Sequence, residues 1–206
     1  MRIIQPRIYL ASQSPRRREL LKQIGVNFEM LLLREDPHRG VDIDEAPLAV
    51  EQPEDYVQRV CKEKALAGWG SLRYRSLPPF PVLAADTTVT VDGMILGKPE
   101  NSKQAAAMLR QLSGREHRVL SAVAIAMNEQ IEVALSISTV RFAALSEERI
   151  HRYLLSREYM DKAGGYAIQG IAGAFVEHLS GSYSGVMGLP LFETVQLLQR
   201  FDCPTP

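Results

Sequence analysis

The chemistry in this 206-residue chain is concentrated in one aspartate, two lysines, a serine–arginine cluster, an acidic loop and a glutamine among glycines. In Pro81-Val82-Leu83-Ala84-Ala85-Asp86-Thr87-Thr88-Val89, Asp86 follows a buried strand pattern. Folds of the α/β type present ligand-facing groups at the carboxyl edge of the sheet. An aspartate there can bind a metal or act as a base on water; the competing role is a turn or cap. Ser12-Gln13-Ser14-Pro15-Arg16-Arg17-Arg18 starts a helix. The Ser14 hydroxyl is expected to satisfy an orphan amide, and Pro15 has no amide to leave orphaned. Three arginines in a first turn oppose the positive end of the helix dipole, at up to ~1 kcal/mol each. Either they reach solvent, or an anion sits there. In the second case the free amides, the Ser12 and Ser14 hydroxyls and the guanidinium of Arg16 or Arg17 converge on phosphate.

Lys64 shares a helical face with Val57 and Cys61, so it either snorkels to water or meets an anion in a pocket. Lys98, in Gly97-Lys98-Pro99, has the look of a phosphate-loop fragment. Gly93 to Gly97 encloses only three residues, however, and Pro99 stands where a Ser or Thr is required, which excludes a Walker-type NTPase. Asp42, Asp44 and Glu45 form an acidic loop that is either a solvated turn or, with Asp86, a hard oxygen site for Mg²⁺ or Mn²⁺. Two glycine-rich segments, Lys162 to Gly170 and Gly181 to Pro190, permit close backbone approach to a ligand or simply tight turns. Gln169 stands out, because a carboxamide offers a donor and an acceptor to the edge of a nucleobase. His38, His117, His151 and His178 show no metal-ligand spacing, and nothing supports redox-cofactor or serine-hydrolase chemistry.

These residues need elements to hold them. Strand and helix patterns alternate, which predicts a layered α/β or α+β fold. Strands are expected at Arg7 to Ala11, Phe28 to Leu33, Val82 to Ala85, Thr88 to Val91, Met94 to Leu96, Val119 to Met127 and Glu132 to Phe142. Helices are expected at Pro15 to Ile24, Glu54 to Trp69, Ser102 to Leu112, Ser146 to Leu155 and Leu189 to Phe201. Gly70 to Pro81 is expected as a connection, and Asp92-Gly93 as a hairpin turn. No repeat or long linker divides the chain, so residues 1–206 are expected to form a single domain. Lys plus Arg and Asp plus Glu number 24 each, which argues against a nucleic-acid polymer as partner because that affinity comes from net cationic charge. Two cysteines, no signal-peptide core and an apolar run half as long as a membrane span predict a cytoplasmic protein without a membrane partner.

The ordered set Ser-x-Ser-Pro-Arg-Arg, Asp-Ile-Asp-Glu, Lys-Glu-Lys-Ala, Ala-Asp-Thr-Thr-Val, Gly-Lys-Pro, Lys-Ala-Gly-Gly-Tyr-Ala-Ile-Gln-Gly and Gly-Ser-Tyr-Ser-Gly-Val-Met-Gly-Leu-Pro resembles the Maf family of nucleoside triphosphate pyrophosphatases, from about Tyr9 to Phe201. The resemblance implies a two-lobed, mixed-sheet α/β fold with flanking helices, related to inosine triphosphatase, with the nucleotide in a cleft between lobes. It implies metal-dependent hydrolysis of a nucleoside triphosphate to monophosphate and pyrophosphate. Ala-Asp-Thr and Ile-Gln-Gly resemble the branch acting on dTTP and UTP. On that match Asp86 is the catalytic proton acceptor; Arg16, Thr87 and Gln169 set substrate choice; Glu45, Lys64 and Lys98 bind metal or phosphate. Taken with the reading of the helix terminus, this assigns Glu45 and Asp86 to the metal and Ser12, Ser14, Arg17, Lys64 and Lys98 to phosphates. The family commonly forms dimers, so a homodimer is the assembly implied. The stretch before Asp42 and the Arg73 to Pro81 connection look longer than the family pattern. A non-catalytic nucleotide-binding regulator of septum formation is the rival function, but pure binding does not need Asp86 and an acidic loop beside cationic phosphate ligands.

Overall fold

In the computed structural model, residues 7–34, 42–203 and 205 are described; most of the long stretch expected before Asp42 lies outside them. The chain runs β1 (Ile8–Leu10), α1 (Pro15–Gln23), β2 (Phe28–Met30), α2 (Pro53–Tyr74), β3 (Val82–Val91), β4 (Met94–Leu96), α3 (Ser102–Leu112), β5 (Glu116–Met127), β6 (Gln130–Phe142) and α4 (Glu147–Leu155). Two 3-10 turns (Ala163–Gly165 and Ile171–Phe175), β7 (Val176–Ser180), α5 (Tyr183–Met187) and α6 (Leu191–Arg200) complete it. No helix among the described residues is long and apolar enough to cross a membrane.

All the strands join one mixed sheet, ordered β2-β1-β3-β5-β6-β7, with β4 on β3. β1 pairs in parallel with β2 and β3; the remaining pairs are antiparallel. Strands β3, β5 and β6 are long enough to run through two lobes. In the first lobe one sheet face, with Leu83, Ala85, Val123 and Ile125, packs on Leu20 and Leu21 of α1 and Leu197 and Leu198 of α6. The opposite face, with Val82, Ala84, Ala122 and Ala124, packs on Val57, Cys61 and Ala65 of α2. The second lobe gathers Val89, Val91, Val119, Val140 and Phe142 around Leu109 of α3, Tyr153 of α4, Tyr166 and Phe175. Period-two alternation explains how one strand serves two layers.

The pairing pattern leaves a gap that matters for the site. β5 occupies one edge of β3 from Val82 to Thr90. On the other edge β1 pairs only with Val82 and Leu83, and β4 only from Val89 to Val91. Among the described residues, 84–88 therefore have no strand neighbour on that edge, and Asp86 and Thr87 lie inside the gap.

Several elements differ from the sequence expectation. The two strands expected on either side of Asp86 and Thr87 are one ten-residue strand, because β5 pairs straight through the segment (Ala85↔Val123, Asp86↔Ala122, Thr87↔Ser121). Ladder pairing and burial override the low strand propensity of aspartate. Asp86 thus lies in mid-strand, not at a strand end. Helix α2 passes Gly70 and ends at Tyr74, since its apolar stripe of Val57, Cys61, Ala65, Gly68 and Leu72 continues at intervals of three or four residues. The connection to β3 is correspondingly shorter than expected. β7 escaped notice because its Val-Glu-His-Leu-Ser sequence is short and polar. The hairpin and the Ser146 cap stand as expected: Asp92 and Gly93 have φ of 52° and 77°, and Ser146 Oγ accepts from Arg149 N at 3.2 Å.

Two glycines of α2 respond to alanine with opposite signs. A Cβ on Gly68 would meet Val82 Cγ1 at 2.8 Å and Ala11 Cβ at 3.3 Å, whereas one on Gly70 meets nothing within 4 Å. Gly70→Ala is expected to stabilise the protein by roughly 0.5–1 kcal/mol through helix propensity. Gly68→Ala is expected to destabilise it by about 1 kcal/mol or more by forcing the helix off the sheet. Urea midpoints of the two variants moving the same way would contradict this packing.

Candidate active site

A cavity of ≈ 920 Å³ opens at the gap beside β3, and both lobes line it. The first lobe contributes Ser12, Ser14, Arg16, Arg17, Glu45 and Lys64; β3 contributes Asp86 and Thr87; the second lobe contributes Lys98 and Gln169. Every residue singled out for catalysis, phosphate binding or selectivity from the sequence therefore faces one space.

Alternation along β3 splits the site into two clusters. Asp86 points to the α2 layer, where Lys64 Nζ donates to Asp86 Oδ1 at 2.7 Å and to Glu45 Oε1 at 2.8 Å. The side chains of Lys64 and Asp86 are only 14% and 12% exposed. Burial pulls the Lys64 ammonium down, but the charges of Asp86 and then Glu45 outweigh it and hold the lysine above its ordinary value. Burial likewise pushes the Glu45 carboxyl up, and Lys64, followed by Lys98 and Arg17, brings it below the usual glutamate range. Glu45 is carried on a loop that α2 fastens: the Tyr56 hydroxyl donates to Glu45 O at 3.0 Å, and Arg59 pairs with Glu51 at 2.7 Å. Tyr56 is pushed up to about 12 by burial and then by Asp86 and Glu45, so its hydroxyl remains a donor. Among the described residues no protein donor sits on Asp86 Oδ2, which leaves that oxygen available to the cavity.

Thr87 points to the opposite layer. Arg17 Nε donates to Gly188 O at 2.8 Å, Nη1 to Ser12 Oγ at 3.0 Å and Nη2 to Thr87 Oγ1 at 3.5 Å. Ser121 Oγ donates to Gly185 O at 2.7 Å and lies 3.0 Å from Thr87 Oγ1. A carbonyl oxygen only accepts, so the single Ser121 proton is committed to Gly185, and the Thr87 proton has Ser121 Oγ at 3.0 Å as its nearer acceptor and Gly188 O at 3.5 Å as the farther one. The lone pairs of Thr87 Oγ1 then face Arg17 and the cavity. Arg17 spends three of its five N–H donors on these fixed acceptors, which points the guanidinium at the cavity with donors to spare. Burial lowers the pKa of Arg17, partly offset by Asp86.

Three expectations need correction. Ser14 occupies the cap position of α1, but its hydroxyl makes no capping bond. Instead Ser12 Oγ accepts from Ser14 N at 3.3 Å while also accepting from Arg17, so Ser12 is the organising hydroxyl. Asp42 does not reach the cavity, because Arg34 takes both its oxygens, through the backbone N–H at 2.8 Å and Nε at 2.9 Å. Asp44 is used locally, accepting from Ala46 N at 2.9 Å. Of the acidic loop only Glu45 remains for a metal. Among the described residues no group of three His, Cys, Asp or Glu could hold an ion unaided.

A model of the family described as Maf-like protein matches residues 7–201. The chain belongs to the Maf family. A dTTP/UTP pyrophosphatase of Aromatoleum aromaticum is 53% identical, covering 99% of this chain and all of that one. Another of that name from Ralstonia nicotianae is 56% identical over 95% of this chain and 94% of its own. Among solved structures, the Staphylococcus aureus Ham1 protein covers 95% of this chain and 97% of that one at 14% identity and a TM-score of 0.49.

Sequence inspection of this Maf protein missed Tyr56, Ser121, Tyr166 and the Gly188 carbonyl. Tyr56 and Ser121 carried no signal beyond an apolar face. Tyr166 was visible only as part of a glycine-rich run; its hydroxyl lies 2.7 Å from His117 Nε2, and burial pushes that histidine down to about 4 and keeps it neutral.

Replacing Lys64 by methionine tests the ion cluster. The unpaired, buried Asp86 is expected to cost on the order of 2 kcal/mol at neutral pH, with Glu45 adding little because it is more exposed. In the wild type the depressed Glu45 contributes stability that is present above its unfolded value and lost as pH falls through the folded one. Without Lys64 burial is opposed only by the charges of Lys98 and Arg17, so the Glu45 carboxyl rises and the stability it contributes at neutral pH shrinks. The gap between wild type and variant is therefore expected to widen from about pH 4 to pH 7. A gap independent of pH in urea titrations would reduce Lys64 to a packing role.

Proposed function

We propose that this Maf protein hydrolyses dTTP and UTP to the nucleoside monophosphate and pyrophosphate, with Asp86 as proton acceptor. The observation that carries this is a buried carboxylate with one oxygen fixed on Lys64 and the other open to a nucleotide-sized cavity rich in cations. The names of the relatives point the same way.

Asp86 Oδ2 takes a proton from a water whose oxygen attacks the α-phosphorus, and the bond from that phosphorus to the bridging oxygen of pyrophosphate breaks. Lys64 Nζ orients Asp86 and, with Arg17 and Lys98, offsets the charge that builds on the phosphate oxygens; such reactions depend mainly on positioning and charge neutralisation. Ser12, Ser14 and the first turn of α1 receive the phosphate tail. Arg16, Thr87 and Gln169 set substrate choice, with the Gln169 carboxamide on the pyrimidine edge. A site built to bond a particular base edge rejects others because its polar groups would be left unpaired. Glu45 and Asp86 suit Mg²⁺ or Mn²⁺, ions that need only one or two carboxylates when phosphate oxygens and water complete the shell. When bound, such an ion supplies Lewis-acid polarisation of the phosphate. Both lobes line the cavity, so the whole chain works as one domain, and the free, buried Cys61 and Cys203 suit a reducing cytoplasm.

Asp86→Asn is expected to reduce pyrophosphate release by a factor on the order of 10³ or more with the fold retained, and stripping divalent ions with EDTA should stop turnover reversibly. Turnover by Asp86→Asn at the wild-type rate would remove the proposed base. Gln169→Ala should narrow the preference for dTTP and UTP over CTP and GTP, read as ratios of kcat/KM.

A further inference from the structure

Gln169 belongs to neither a strand nor a helix. It stands between the turns Ala163–Gly165 and Ile171–Phe175, in an exposed position on the cavity wall. A carboxamide in such a place discriminates between bases only if its backbone is held, since selectivity depends on donors and acceptors standing at fixed points.

We infer that Glu158 is a positioning residue for substrate choice, fixing the backbone beside Gln169 and so the place of its carboxamide; this rests on the role proposed for Gln169. Glu158 follows α4 and does not line the cavity. Its Oε2 accepts from Ile171 N at 2.8 Å and its Oε1 from Ala172 N at 3.2 Å. One carboxylate thus clamps two consecutive amides with charge-assisted bonds. Gly170 completes the fit, for a Cβ there would run into the Glu158 carboxylate; the carboxylate lies flat against the residue next to Gln169.

The amino side of the segment has bonds of its own, with the Glu158 charge bearing on Tyr153 there as well. Gly164 N donates to Gly97 O at 3.0 Å, the Tyr153 hydroxyl donates to Gly165 O at 3.1 Å, and Tyr166 is tied to His117. Gly170 N donates to Ala167 O at 3.1 Å and closes the short turn that carries Gln169. Between Tyr166 and Gly170 only Ala167, Ile168 and Gln169 bridge two anchors. On the carboxyl side Gly173 N donates to Gly170 O at 3.0 Å, and Glu158 adds the two bonds that tie this side to the segment after α4; without it that tie is lost.

The test is a double-mutant cycle on kcat/KM for dTTP, UTP and CTP, using pyrophosphate release from the full chain with Mg²⁺, and circular dichroism to confirm folding. Glu158→Gln keeps the volume but opposes an NH₂ group to one of the two amides. It is expected to lower the ratio of dTTP or UTP over CTP by roughly threefold to tenfold, mainly through KM. In a Gln169→Ala background the same change should alter the ratio by less than about twofold, because both act through one carboxamide. Gly170→Ala, which displaces the carboxylate from the other side, should shift the ratio in the same direction. Equal losses for all three nucleotides, or an undiminished effect in the Gln169→Ala background, would make Glu158 a structural residue only. If Gln169→Ala itself leaves the ratio unchanged, the role of Gln169 falls and this inference with it. If Gln169→Ala shifts the ratio and Glu158→Gln does not, this inference alone falls.

Discussion

One edge of β3 has no strand partner among the described residues between Leu83 and Val89, and the site depends on that gap. β5 pairs the other edge from Val82 to Thr90, so the segment keeps its extended backbone while its free side meets the cavity. Two consequences follow from strand geometry alone. Asp86 and Thr87, adjacent in sequence, face opposite layers, so α2 equips one and α1 with the α5 segment equips the other. Both still border one cavity because the missing neighbour exposes the edge between the two faces. A sheet paired fully across this point would separate the acid–lysine cluster from the arginine–hydroxyl cluster.

The electrostatics answer the zero net charge of the chain. Arg17 and Lys64 are withdrawn from solvent, and burial of a cation is unfavourable unless it is paired or hydrogen-bonded. Lys64 meets this with two carboxylates, and Arg17 meets it with neutral acceptors and the more distant Asp86. Asp86 and Glu45 offset Lys64 and Arg17, and the remaining donors suit a small polyanion more than the continuous phosphate backbone of a nucleic acid.

The row of hydroxyls Thr87, Ser121, Ser136 and Ser138 crosses the sheet near the junction of the lobes, with Thr87, Ser121 and Ser136 in direct register. There the cores of both lobes give way to polar contacts, and the row docks the α5 segment: Ser121 holds the Gly185 carbonyl and Ser138 accepts from Ser182 N at 2.9 Å. Gly188, at φ 121°, turns its carbonyl onto Arg17, a backbone conformation that side-chain-bearing residues rarely adopt.

Taken alone, the residues and their order determined the family, the alternation of strands and helices and the residues bordering the cavity, because each carries a local signal: serine before proline, a lysine on an apolar stripe, glycines around a glutamine. Turn chemistry such as Asp92-Gly93 and the Ser146 cap was equally legible, since it depends on neighbours within four residues. Tertiary structure decided the rest. It made β3 continuous by pairing it with β5, carried α2 past Gly70, left α1 without a capping bond from Ser14 while Ser12 accepts from Ser14 N and Arg17, and sent Asp42 to Arg34 rather than to the cavity. For β3 and α2 the outcome is a competition between a local preference and partners distant in sequence that only the folded chain brings into contact; Ser12 and Asp42 find partners within eight residues, chosen by the path of the loops.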